Sequence, residues 1–153
     1  MVWPPDSPWA PWWRTKKEVA RNACRLAKID SKDIVYELGS GDGTFLITAV
    51  KEFGARGVGI EIDPLRAFIS TLRIRIIRVS DKIAIKRKNF FDEDLSKASV
   101  IFVYLVPKTL QKLKQKLLKE LRPGTRVVSL KYKINLPLVD FDKKSQIRLY
   151  KIP

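Results

Sequence analysis

A chain of 153 residues with 45% hydrophobic content is long enough to bury one core and reads as one domain. With 31 basic and 16 acidic residues the formal charge is +15, which predicts solubility and attraction to nucleic acid, anionic membrane or acidic proteins without choosing among them. A lone cysteine, Cys24, excludes an internal disulfide and fits a cytoplasmic protein, and the absence of histidine excludes Ser-His-Asp and Cys-His catalysis and the usual zinc sites.

Residues 1–14 read as an arm that holds all four tryptophans and four of the nine prolines. Its prolines keep it extended. It could fold back as a flap over an active site, bind a partner, or sit at a membrane interface, and a disordered arm is the plainer alternative. No secretory signal pattern and no apolar run of membrane-spanning length is present.

Thr15, with Glu18 three residues on, has the pattern of a capping box opening a helix that ends near Lys28. Its apolar face carries Val19, Ala23, Leu26 and Ala27, and Cys24 reads as a small core residue of this helix. A strand is expected at 34–38, a helix at 44–53 and a second strand at 56–61. From 64 to about 78 apolar residues follow helical spacing behind Pro64, although 73–78 also alternates as a strand would. Further strands are expected at 83–88, 100–105 and 125–134. Between the last two lies an amphipathic helix marked by Leu110, Leu113, Leu117 and Leu121, stopped at Pro123-Gly124. Two short strands, near 138–141 and 146–152, close one edge as a hairpin. The alternation implies an α/β, Rossmann-like, doubly wound and mostly parallel sheet.

The stretch Ile34-Val-Tyr-Glu-Leu-Gly-Ser-Gly-Asp-Gly-Thr44 organises the rest. A strand runs into Gly39, Gly41 and Gly43 and then into a helix, the opening of a nucleotide-binding βαβ unit. A dinucleotide turn would be spaced G-x-G-x-x-G, whereas position 44 is threonine. Pyrophosphate on a helix N-terminus is also ill served by carboxylates, and this loop carries Glu37 and Asp42. Two acids around an open turn suit a cationic ligand such as S-adenosylmethionine. Glu61 lies about 20 residues beyond the loop, where an acid accepts hydrogen bonds from ribose hydroxyls.

Five stretches carry a resemblance to class I, seven-strand S-adenosylmethionine-dependent methyltransferases. They are Ala10-Pro-Trp-Trp-Arg-Thr15, Asp33-Ile-Val-Tyr-Glu-Leu-Gly-Ser-Gly-Asp-Gly43, Gly57-Val-Gly-Ile-Glu61, Asn89-Phe-Phe91 and Leu121-Arg-Pro-Gly-Thr-Arg-Val-Val-Ser129. More narrowly, the chain resembles archaeal and mitochondrial protein-lysine methyltransferases and related small bacterial methyltransferases. The resemblance makes residues 15–153 the catalytic domain. It implies that Glu37, Gly39, Ser40, Gly41, Asp42 and Gly43 surround the methionine moiety, that Glu61 holds the ribose, that Ile62 packs on the adenine, and that Asn89 and Phe90 meet its edge or face. Asn89 stands where aspartate is common in the wider superfamily. Tyr104 would line the methyl-acceptor side and is the best available candidate for a catalytic base.

The expected acceptor is the lysine side chain of a protein. RNA methylation, prompted by basic faces at 73–78 and 108–119, and cofactor binding without catalysis are the alternatives. Tyr104-Leu-Val-Pro107 replaces the Asp/Asn-Pro-Pro-Tyr/Phe run of enzymes that methylate adenine N6 or glutamine amides, which argues against those substrates. No metal is implied. A monomer is expected, cytoplasmic or membrane-associated through an upstream segment, with peripheral membrane contact through the Trp-rich arm as a further option.

Overall fold

A computed structural model of the chain describes residues 15–153; the Trp/Pro-rich arm lies outside them. Seven strands form one sheet in the order β3-β2-β1-β4-β5-β7-β6. The strands are β1 (Ile34–Leu38), β2 (Arg56–Ile60), β3 (Ile83–Lys86), β4 (Val100–Val103), β5 (Arg126–Leu130), β6 (Leu138–Asp142) and β7 (Ile147–Lys151). The first five run parallel, and β7 pairs antiparallel with both β5 and β6. The expected mixed sheet with an antiparallel edge hairpin is the one observed, with β7 inserted between β5 and β6.

Burial follows the side-chain pattern. β4, with no polar residue, is buried along its whole length at the centre of the sheet. On one face, α1 (Lys17–Leu26) and α2 (Thr44–Phe53) pack through Ala20, Ala23, Cys24, Phe45, Leu46 and Val50. The rings of Phe45 and Phe102 stack there with centroids 3.9 Å apart. On the other face, α4 (Pro107–Glu120) lays Leu110, Leu113 and Leu117 against Ile101, Val103 and Val127. A short 3-10 turn, Phe90–Asp92, leads toward β4 on that side.

Four expectations are corrected. The helix expected to be capped by Thr15 has Lys16 at its N-cap and no side-chain cap, so the Thr15–Glu18 box does not form. The helix starts one residue late, which puts Glu18 in the first turn, where a carboxylate still favours the exposed N–H groups. The strand expected over 125–134 stops at Leu130, because Lys131 takes a left-handed φ of 71° and Tyr132 N–H turns back to the Leu130 carbonyl. The strands expected at 83–88 and 100–105 likewise end early, at Lys86 and Val103.

Segment 64–78 settles as a helix, α3 (Pro64–Ile77), begun by Pro64 and capped by Asp63, whose carboxylate accepts from the N–H groups of Leu65 and Arg66. Its sequence periodicity predicts the helix but not its orientation. The inward side is Arg66, Ala67, Ser70 and Ile74, while Leu65, Phe68, Leu72 and Ile76 point outward.

Candidate active site

The parallel order places β1 between β2 and β4, so the connections leaving β1 and β4 diverge and open a crevice at the carboxyl ends of the strands. The loop after β1 fills its floor. Gly39, Gly41 and Gly43 have φ of 79°, 56° and 81°, a left-handed conformation at every second residue that side-chain-bearing residues resist. The N–H groups of Gly39 and Ser40 both donate to the Ile60 carbonyl at the end of β2, at 2.8 and 3.2 Å.

Glu61 closes the frame. One carboxylate oxygen accepts from Gly41 N–H at 2.9 Å and the other from Asp63 N–H at 3.1 Å. Each oxygen keeps lone-pair capacity for a further donor. Glu61 is buried, and burial raises its pKa, opposed by the N–H groups of Asp63 and Gly41 and by the nearby Arg66 guanidinium.

Glu37 is the less satisfied acid. Its Oε1, together with the Ser40 hydroxyl, is buried without a hydrogen-bond partner among the described residues. Burial first, then the charges of Asp42 and Glu61, push its carboxyl well above the usual range, with the Leu46 backbone N–H opposing. A buried orphan carboxylate oxygen is costly and calls for a donor, preferably a cation.

Asp42 has a different environment. Its carboxylate stands just ahead of α2, whose N-cap is Gly43, and accepts from Thr44 N–H at 3.1 Å and the Thr44 hydroxyl at 2.7 Å. Arg73 stands 3.3 Å from the same carboxylate and donates to the Asp42 carbonyl at 2.8 Å. An acid already occupies the helix N-terminus, which leaves no place for a pyrophosphate. Asp42 is paired with Arg73, so Glu37 and Glu61 are the acids left to meet a cationic ligand in the crevice.

The remaining candidates lie in the segments that follow β2, β3 and β4. Ile62, two residues past the end of β2, is exposed. Asn89 Oδ1 accepts from Phe91 N–H at 3.0 Å, capping the 3-10 turn, and Phe90 is buried against Phe91. Leu38 pairs with Val103, so Gly39 and Tyr104 leave neighbouring strand ends side by side. Tyr104 forms one wall of a groove of about 940 Å³ that continues past Leu130 and Lys131 to Val19 and Leu26 of α1. Burial raises the Tyr104 pKa, with Lys131 opposing, so the phenol stays protonated near neutrality. Among the described residues no cluster of acids or cysteine could hold a metal ion.

Sequence reasoning missed Arg73 as a loop residue, reading it as part of a basic face. It reaches Asp42 across 31 positions, a pairing that no local spacing announces. It also missed why Gly59 is a glycine. A Cβ there would lie 2.7 Å from Ile85 Cδ1, 2.8 Å from Leu46 Cδ1 and 2.9 Å from Ser40 Cβ, so the strand makes room for the loop.

The model of the ANTKMT methyltransferase domain matches residues 37–137, which runs from the orphan glutamate through α4 to the end of β5 and beyond. The chain belongs to the ANTKMT methyltransferase family. A protein-lysine N-methyltransferase of Saccharolobus islandicus (strain REY15A) is 40% identical over 135 residues, covering 88% of this chain and 82% of the relative. The mouse adenine nucleotide translocase lysine N-methyltransferase is 33% identical over 96 residues, 62% of this chain but only 42% of that larger protein. Among solved structures, an RNA methyltransferase from Salinibacter ruber in complex with S-adenosyl-L-homocysteine superposes with a TM-score of 0.87 at 36% identity, covering 92% of this chain and 94% of its own.

Proposed function

We propose that the protein transfers a methyl group from S-adenosylmethionine to the side-chain amine of lysines in a protein substrate. The observation that carries the cofactor is the buried, unpartnered Glu37 oxygen above a left-handed glycine turn. An ammonium group supplies the missing donor, and the two oxygens of Glu61, fixed by Gly41 and Asp63, are oriented to accept from vicinal ribose hydroxyls. When bound, the cofactor supplies a methyl on a positively charged sulfur. Ile62 gives its adenine an apolar surface, and Asn89 and Phe90 border the same end.

The acceptor enters through the groove walled by Tyr104. Transfer needs an in-line lone pair and little else beyond orientation and exclusion of water. Roughly one lysine in a thousand is unprotonated at neutral pH. With its pKa raised, the Tyr104 phenol is a hydrogen-bond partner that orients the amine, and the lysine proton leaves to solvent before docking. Glu18, Asp140 and Asp142 line the groove farther out, among basic side chains, and give a lysine-bearing segment carboxylates to approach.

The lysine acceptor rests on the 40% identity to the Saccharolobus protein across most of both chains. RNA is the second reading, supported by the Salinibacter neighbour's activity and by the net charge of +15. In this reading of the whole chain the Trp-rich arm, residues 1–14, closes over the acceptor or touches a membrane, and the enzyme works as a monomer in the cytoplasm or at its membrane boundary. One experiment separates the acceptors: a cell extract treated with methyl-labelled cofactor and the enzyme. Label on lysines by mass spectrometry is expected, and label confined to RNA would overturn the lysine assignment.

A further inference from the structure

The outward side of α3 is apolar where a surface helix should be polar. Leu65, Phe68, Leu72 and Ile76 recur at spacings of three and four, one stripe along the helix, and are 45%, 63%, 47% and 70% exposed. The inward side is occupied by Arg66, Ala67, Ser70 and Ile74, so the helix is already packed and the stripe is surplus to the core. Such a contiguous exposed stripe marks a contact surface.

Charge indicates what it contacts. From Pro64 to Ser80 there is no acidic residue, while Arg75 and Arg78 are exposed at the C-terminal end, with the exposed pair Asp81 and Lys82 offsetting each other just beyond. Arg73 is held inward by Asp42 and Thr44. A second copy packed on this stripe with the two helices parallel would bring arginines of the same helix toward one another, a like-charge arrangement that opposes association, and an antiparallel copy is an outcome of the test below. Nucleic acid would meet the arginines but leave four large apolar side chains in water. An anionic bilayer meets both needs: the acyl boundary takes the leucine, phenylalanine and isoleucine side chains while headgroup phosphates meet the guanidinium groups.

We propose that the outer face of α3, with Leu65, Phe68, Leu72 and Ile76 flanked by Arg75 and Arg78, docks the protein on an anionic lipid surface. The helix lies in the plane of the interface and does not cross it; no described helix is long and apolar enough to cross a membrane. This surface is made of described residues of α3 and is independent of the methyl-transfer reading, since it needs neither cofactor nor acceptor.

The test is co-sedimentation of the full chain, without cofactor, with phosphatidylcholine vesicles made with and without phosphatidylglycerol. Binding to the anionic vesicles only, falling as salt rises, is expected. The double variant Phe68→Ser/Ile76→Ser should lower the partition coefficient about tenfold or more, since two apolar side chains lose their acyl contacts. Its circular dichroism and its affinity for S-adenosyl-L-homocysteine should match the wild type, because both residues are exposed and neither borders the loop. Vesicle binding by the double variant equal to wild type would overturn the proposal. So would a wild-type protein that ignores anionic vesicles, whether it stays monomeric in sedimentation velocity or forms a dimer that the same substitutions dissolve.

Discussion

Gly41 and Glu61, 20 residues apart, are joined by a 2.9 Å hydrogen bond from the loop backbone to the carboxylate. The acid expected to hold a ribose therefore also sets the conformation of the glycine turn before any ligand arrives. The second oxygen ties in Asp63, which itself caps α3. One side chain connects the loop after β1, the end of β2 and the start of α3.

Replacing Glu61 with alanine should therefore cost more than the ribose contacts. Loss of charge-assisted bonds worth about 1.5–3 kcal/mol corresponds to a roughly 10- to 100-fold weaker affinity for S-adenosyl-L-homocysteine. Calorimetry is the measurement. Glu61→Gln, which keeps one acceptor, should fall between alanine and wild type; a glutamine variant with wild-type affinity would show that the charge is dispensable.

The orphan Glu37 makes stability depend on pH in an unusual direction. Its folded pKa is raised by burial and by neighbouring acids, so the native state keeps a proton that the unfolded chain has already released. Stability of the ligand-free protein from this group therefore falls as pH rises from the ordinary glutamate value toward the folded one. Glu37→Gln should flatten that slope and raise the Tm at neutral pH by roughly 2–4 °C, while weakening cofactor binding. The cofactor's ammonium favours the ionised carboxylate, so binding below the folded pKa should release a proton. Calorimetry in buffers of different ionisation enthalpy detects that proton.

Gly59→Ala would press a methyl group on Ser40, Leu46 and Ile85, all closer than 3.0 Å to the new Cβ. The expected destabilisation is about 1–3 kcal/mol, read by denaturant titration. Because Ser40 belongs to the loop, cofactor affinity should fall as well. A loss of stability with unchanged affinity would separate strand packing from loop placement.

Arg73→Ala removes the partner of Asp42. The guanidinium is about a third exposed, so the ion pair contributes under about 1 kcal/mol to stability. The effect on the loop should be larger, with cofactor affinity reduced roughly threefold or more as α2's first turn and the acid bonded to Thr44 loosen. Thermal melts and calorimetry on the same variant give both numbers.

Cys24 is fully buried, and burial pushes its thiol pKa up to about 12. The native protein should resist alkylation at pH 8, while the denatured chain reacts at once. Rapid labelling of the native state would show that α1 opens from α2 on the timescale of the reagent.

Local chemistry determined much of this protein from the sequence alone. Three alternate glycines, an apolar strand before them and an apolar helix after them leave one workable backbone path. The boundaries of β1 and α2 therefore match their expected residues, and Glu37 and Glu61 face one crevice. Alternating strand and helix patterns likewise determined the mixed sheet, because parallel strands require the crossovers that the pattern shows. The tertiary structure decided what depends on contacts between distant residues. It set Asp42 against Arg73, used Gly59 to make room for Ser40, and moved the start of α1 past Thr15. It also decided which side of α3 faces the sheet: small residues and Arg66 fit the narrow space beside the loop, and the larger apolar side chains were left outside.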